Sequence, residues 1–406
     1  MATRHAPKLA LETPRDERSM LFPHGAPSTL TPPVTPTNKD ENRHENAAPA
    51  LNSQPLTPCR SPDSDRADGL PSRPLEFIYD LELRRSGDDG QPLEYGRGVW
   101  SAVYMATSRW SSSVSGLTPP SSPAMSSRVL AVKSPLRHDA HPVLEAEARI
   151  LTRIRGTPGK DRYVVPFHGY VSASHSIVMS AVPLALSTYI RDRAAIAQQN
   201  FSTRTMFDPV LGMAQWHDLA LRLIRGLSWL HNEPGIVHGD IKPHNILLRP
   251  RQDSDYDGNR DRDVFPYEPL YADFSSAHDL LSPKSALGGV ATPLSALTPP
   301  FAAPELLSVA ALKSSDVLAT QASDVFSLAV TLLSAATGDL VLYPGTSNIQ
   351  RLAMSREGHR VLDFVRSGAH GTRVPRNGLV EKSLKPAVVK DPSERIRPEE
   401  WLQAIG

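Results

Sequence analysis

The residues richest in chemistry form one short run, His238-Gly239-Asp240-Ile241-Lys242-Pro243-His244-Asn245. A carboxylate, an ammonium two residues on and an amide five residues on suit phosphoryl transfer. Asp240 can accept the proton of an acceptor hydroxyl, and Lys242 can steady the transferring phosphoryl group. The Asn245 amide oxygen can ligate a divalent cation. The plain alternative is a polar loop with a buried histidine, and a lone His-x-Asp would read that way. The added Lys, Pro and Asn at this spacing favour the chemical reading.

Companion residues occur along the chain in a consistent order. Tyr95-Gly96-Arg97-Gly98, continuing through Ser101 to Val103, is a glycine-rich turn between strand-like stretches. Backbone amides there can approach phosphates because glycine has no side chain in the way. Ala131-Val132-Lys133 puts a lysine on a strand, able to reach α- and β-phosphates. Glu147, in the helical run that follows, can hold Lys133 by an ion pair. Glu145 is its rival, roughly 200° round the helix, but the spacing to Ile150-Leu151 favours Glu147. Ala272-Asp273-Phe274-Ser275 supplies a second carboxylate for a metal. Glu305 and Arg395 offer a structural ion pair.

Positioning such residues takes a frame, and the apolar pattern outlines one. Val-, Tyr- and Leu-rich patches at 75–83, 95–106, 129–133, 164–171 and 176–182 predict strands of a mostly antiparallel sheet. One helix, 143–155, interrupts them. Beyond lie a helix at 216–232, with Leu219, Leu223, Leu227 and Leu230 on one stripe, and a helix at 321–337 that is apolar nearly all round.

Composition narrows the class. The chain has 406 residues, with 38 Pro and one Cys. Residues 1–74 hold 13 of the prolines and a single aromatic residue, Phe22, too little apolar surface to offset ordering, so a disordered tail is expected there. Residues 75–406 form the expected domain, with loop insertions near 109–127 and 251–263. The lone Cys59 excludes an intrachain disulfide framework and suits an intracellular setting, cytoplasmic or nuclear. The net charge of +1 exerts no pull toward nucleic acid. No leader peptide is read at the N-terminus. The most apolar segment, 325–343, is too polar to predict a membrane span.

These motifs together resemble the eukaryotic protein kinase superfamily, serine/threonine type, from about residue 76 to the last residue. The resemblance implies an α+β, bilobal protein-kinase fold. A small antiparallel β-sheet lobe with one helix (76–182) would precede a larger, mainly helical lobe (183–406). It implies ATP and Mg²⁺ bound between the lobes and protein substrates with Ser/Thr acceptors. Asp240 matches the catalytic base and Lys242 the loop lysine, while Asn245 and Asp273 match the metal ligands. Tyr95, Gly96, Gly98, Ser101, Val103, Ala131, Lys133, Glu147, Met179 and Val182 match nucleotide-binding positions, Met179 as gatekeeper with the hinge at 180–182. Ala303-Pro304-Glu305 matches the Ala-Pro-Glu motif with Arg395 as partner. Asp324 resembles the helix Asp that braces the catalytic loop. Thr298 fits the Thr that serine/threonine kinases place beside Asp240 and Lys242.

Departures from the pattern carry expectations of their own. The loop reads His-Gly-Asp, and the missing arginine is the usual partner of an activation-segment phosphate. Activity independent of that phosphate is therefore expected. Ser275 replaces the glycine of Asp-Phe-Gly, which makes a pseudokinase, an ATP-binding scaffold with little turnover, the main alternative. The His-Gly-Asp spelling also occurs in small-molecule phosphotransferases, a minor alternative that lacks the Lys and Ala-Pro-Glu features present here. Thr13, Thr31, Thr35, Thr57 and Ser61 precede prolines. Ordinary composition accounts for them, and an upstream proline-directed kinase acting on the tail is the second reading.

Overall fold

The computed structural model describes residues 70–86, 90–108, 128–251, 264–280, 297–314, 317–345 and 347–406. All belong to one unit, Arg66–Gly406. The expected tail up to residue 69, and nearly all of both expected insertions, lie outside the described residues.

The first lobe is built on an antiparallel sheet. Its strands are β1 (Leu81–Leu83), β2 (Glu94–Arg97), β3 (Ser101–Ser108), β4 (Arg128–Pro135), β5 (Phe167–Val171) and β6 (Ser176–Ser180). Their order is β1-β3-β4-β6-β5, with β2 also paired to β3. Alternation sorts the side chains of β4. Leu130 and Val132 join Phe77, Ala106 and Val178 in one apolar cluster, which leaves Ala131 and Lys133 for the opposite face. Helix α1 (His141–Gly156) begins two residues before the expected start, with Pro142 in its first turn, a position that needs no N–H. Its buried stripe is Leu144, Ala148, Leu151 and Ile154, and Glu147 lies within it. A carboxylate on such a stripe demands a partner.

The expected strand over 75–83 is shorter in the structure. Only Leu81–Leu83 joins the sheet through β3. Residues 75–77 instead run parallel to β5, with Phe77 N donating to Tyr170 O and Tyr170 N to Leu75 O, both at 2.8 Å. Phe77 is buried while Ile78 is 79% exposed, so the pattern breaks between them. Gly169 permits this approach, since a Cβ there would lie 2.8 Å from the Phe77 Cβ. Leu70 packs against the main core, so the folded chain begins before the expected boundary at 75.

The second lobe is mainly helical. It comprises α2 (Leu186–Gln199), α3 (Met213–Asn232), α4 (Val309–Lys313), α5 (Gln321–Thr337), α6 (Asn348–Arg356), α7 (Val361–Ser367), α8 (Leu379–Leu384) and α9 (Pro398–Ile405). Two small sheets bound the loops 238–245 and 272–277. One orders β10 (Tyr267–Tyr271), β9 (Ile246–Pro250) and β7 (Leu184–Ala185), and the other pairs β8 (Ile236–Val237) with β11 (His278–Asp279). Helix α5 has the expected bounds and is the central post. Thr320 and Ser323 form a capping box at its start, a feature that contributes about 1 kcal/mol. Trp216 of α3, fully buried, donates its indole N–H to Leu332 O at 2.9 Å. Among the described residues no helix is long and apolar enough to cross a membrane.

Candidate active site

Strand register lines up the residues expected to meet a nucleotide. Gly96 pairs with Val103, Val103 with Lys133, and Lys133 with Ile177 across β2, β3, β4 and β6. Tyr95 sits at the irregularity of β2 and is 42% exposed. Gly98 N donates to Ser101 O at 2.8 Å, which closes the turn. A Cβ on Gly96 would meet nothing within 4 Å, so the chain itself does not require glycine there. Ala131 pairs with Met179. Met179 and Val182 pack with Val165, Leu247, Leu270 and Ala272. Val165, Leu247, Leu270 and Ala272 were not among the nucleotide-binding positions that the resemblance implied. The signal for Leu247 was the Ile-Leu-Leu run directly after Asn245.

Lys133 is the centre of an ionic group in which it and Glu147 are buried and Asp273 is partly exposed. Its Nζ lies 2.8 and 2.7 Å from the two Glu147 oxygens and 2.7 Å from Asp273 Oδ1. Glu147 also accepts from Phe274 N at 3.1 Å. Burial opposes the lysine charge, but Asp273 and then Glu147 outweigh it and hold the ammonium above its usual range. Burial likewise pushes the Glu147 carboxyl up despite Lys133. For Asp273 burial is outweighed by Lys133 and by a hydrogen bond from Ser275, so its carboxyl stays well below the ordinary value. Asp273 has a left-handed backbone, φ 61°. Glu145, the rival acid, forms no part of this group.

The residues of the 238–245 loop gather around Asp240. Lys242 Nζ reaches Asp240 Oδ2 at 2.6 Å and Thr298 Oγ1 at 2.8 Å. The Asn245 amide donates to Asp240 O at 2.8 Å and to Oδ2 at 3.0 Å. Burial pushes the Asp240 carboxyl up to about 6, against the pull of Lys242 and Asn245. Below the loop, Asp324 accepts from His238 N at 2.8 Å, Gly239 N at 2.9 Å and His231 Nε2 at 3.0 Å. His238 is fully buried, and its Nε2 bonds the Ala272 carbonyl at 3.1 Å. Arg395 grips Glu305 with two bonds of 2.7 Å.

Gly239 has a structural reason that the sequence alone did not supply. Its φ is +80°, and a Cβ would lie 2.5 Å from the Ser276 carbonyl oxygen. A side chain here would be both strained and in collision. His231 was also missed. Its signal was a lone histidine continuing the apolar stripe of α3.

The donor set fits a small hard cation. Asn245 spends its amide N–H groups on Asp240, which orients its carbonyl oxygen away from them. Asp273 is ionised, with its side chain 41% exposed. Among the described residues no three His, Cys, Asp or Glu side chains gather as a self-sufficient metal site. Two oxygen donors suit Mg²⁺, which usually keeps waters and takes its other ligands from substrate phosphates.

Comparison with known proteins gives the family. The protein kinase domain family matches residues 126–404, and the chain belongs to that family. Members use ATP with a divalent metal and act on protein substrates. The chain is also 28% identical over 198 residues to the LRR receptor-like serine/threonine-protein kinase RGI3 of Arabidopsis thaliana. That match covers 46% of this chain and 14% of the relative.

Proposed function

We propose that this protein kinase transfers the γ-phosphoryl group of ATP to Ser/Thr hydroxyls of proteins, with Mg²⁺. The carrying observation is Lys133 held between Glu147 and Asp273 while Asp240, Lys242 and Thr298 form a second group. Mg²⁺, when bound, would neutralise charge on the phosphates, with Asn245 and Asp273 as its protein ligands. Lys133 would bind the α/β-phosphates. Asp240 would orient the acceptor hydroxyl and accept its proton, with Lys242 beside it for the transferring phosphoryl. The Asp-x-Lys-Pro-x-Asn spelling and the Thr298 contacts support Ser/Thr acceptors. The His244 side chain, in place of an acid, supports substrates that need no upstream arginine. The lone cysteine supports action in the cytoplasm or nucleus. An upstream proline-directed kinase acting on the tail is kept as a proposal.

One observation favours the scaffold reading, Ser275 in place of the glycine of Asp-Phe-Gly. Mg-ATP-dependent phosphorylation of a generic protein substrate separates the two. Asp240→Asn should lower kcat about 10²–10⁴-fold, the usual contribution of a general base. Equal signal from the variant would sink the catalytic proposal, and nucleotide binding without turnover would establish the scaffold.

A further inference from the structure

Helix α1 carries a second charged side chain into the fold, six residues after Glu147. Arg153 Nη1 donates to Asp279 Oδ2 at 2.8 Å, and the Asp279 side chain is fully shielded from solvent. Asp279 belongs to the other lobe, at the end of β11. There it pairs with Ile236, and His278 pairs with Val237. Leu280 N adds a bond to Gly235 O at 2.9 Å. Val237 leads directly into His238 and Asp240. A Cβ on Gly235 would lie 3.6 Å from Arg153 Nη2, so the guanidinium rests over the turn that opens β8.

Helix α1 therefore grips the stretch 273–279 at two points. Glu147 accepts from Phe274 N near its start, and Arg153 holds Asp279 at its end. Between them the Ser276 carbonyl abuts Gly239. A buried carboxylate that loses its guanidinium stays in a poor solvent for charge, so the pair strongly resists separation. The catalytic loop offers no arginine at 239. Arg153 supplies a guanidinium from the helix instead, to a carboxylate encoded in the chain.

We propose that the Arg153–Asp279 pair is a positioning device that sets helix α1 against the stretch 273–279. It keeps Glu147 on Lys133 without a phosphate on the activation segment. The importance of Lys133 for ATP rests on the kinase reading above. The geometry of α1 does not, so the two can fail separately.

The test uses the full chain carrying Asp279→Asn, Arg153→Met or Arg153→Lys. Readouts are affinity for a fluorescent ATP analogue with Mg²⁺, separate KM values for ATP and protein substrate, melting temperature, and hydrogen exchange of α1 amides. Asp279→Asn and Arg153→Met should weaken nucleotide affinity and raise KM for ATP about tenfold, within the usual span of coupling between sites. KM for protein substrate should stay unchanged, and α1 should lose exchange protection. Arg153→Lys should restore most of both effects. Phosphatase treatment of the wild type should change none of these readouts. The proposal falls if folded Asp279→Asn keeps wild-type nucleotide affinity and α1 protection. It falls equally if both KM values and the melting temperature shift together, or if phosphatase alone exposes α1. Should Arg153→Met fail to fold, the isosteric Asp279→Asn decides. Should the wild type bind no nucleotide, the kinase reading fails and α1 exchange in Asp279→Asn still tests the pair.

Discussion

Asp240 follows the His238–Gly239 backbone in the chain and Asp324 accepts from it, and their surroundings push them in opposite directions. Burial works against the charge of both. For Asp324 it is outweighed by the bond from His231, by nearby His238 and by the Gly239 N–H, so the carboxyl is held below its ordinary value. Asp240 also receives three donors, from Lys242, Asn245 and Thr298, but the Asp273 carboxylate adds to burial, and its carboxyl is raised to about 6. Both side chains are well shielded, 13% exposed for Asp240 and 1% for Asp324. Burial alone thus does not separate their roles. The groups that face each carboxylate do: imidazoles and a backbone N–H for Asp324, and a second carboxylate, Asp273, for Asp240. Asp324 is satisfied within the fold and serves as a brace. Asp240 retains basicity suited to accepting a proton near neutral pH.

The largest test of this contrast pairs two substitutions. Asp240→Asn should combine its large loss of turnover with a melting temperature no lower than wild type. The sign follows from linkage. A carboxyl raised in the folded state contributes stability below its unfolded value, and that contribution is lost as pH rises through about 6. At pH 7 the neutral amide therefore removes an unfavourable charge. Asp324→Ala should do the reverse to stability, costing about 3–5 kcal/mol, because the His238 and Gly239 N–H groups lose their acceptor inside the core. Chemical denaturation of both variants measures the difference. A melting temperature for Asp240→Asn well below wild type would erase the distinction.

Gly239→Ala probes the backbone between the two carboxylates. The left-handed φ costs about 1–2 kcal/mol for a residue with a Cβ, and the contact with Ser276 adds to it. Reduced stability together with reduced kcat is expected, whereas unchanged values would show that the loop relaxes freely. The smallest effect lies in the pH profile. The rate constant kcat/KM should fall as pH drops through about 6, where Asp240 becomes protonated in the free enzyme. A flat profile down to pH 5 would remove Asp240 as the group being titrated.

Legibility varied with the length of chain a feature spans. Asp240, Lys242 and Asn245 sit within six consecutive positions. One short loop brings them together, and residue types with spacing were enough to single them out. Lys133, Glu147 and Asp273 were also picked out, Lys133 with Glu147 as an ion pair, but only chain order tied Asp273 to them. The bounds of α5 were readable because a capping box opens it and Gly338 in a left-handed conformation closes it. The strand over 75–79 was misread because alternating apolar residues do not say which neighbour they meet. Phe77 finds β5, and Ile78 faces solvent.

By itself the sequence determined the chemistry available, namely which carboxylates, lysines and amides exist, and the local elements that carry them. Side-chain type and the 2.0 and 3.6 periodicities are properties of short stretches, so they survive without a fold. The tertiary structure brought Glu147, which the spacing already favoured over Glu145, onto Lys133. It also decided that Arg153 reaches Asp279 across 126 residues, and that Gly239 stands against the Ser276 carbonyl. Those outcomes depend on how a helix is rotated against a sheet and how two loops abut. Packing of distant segments sets both, and no single segment encodes them.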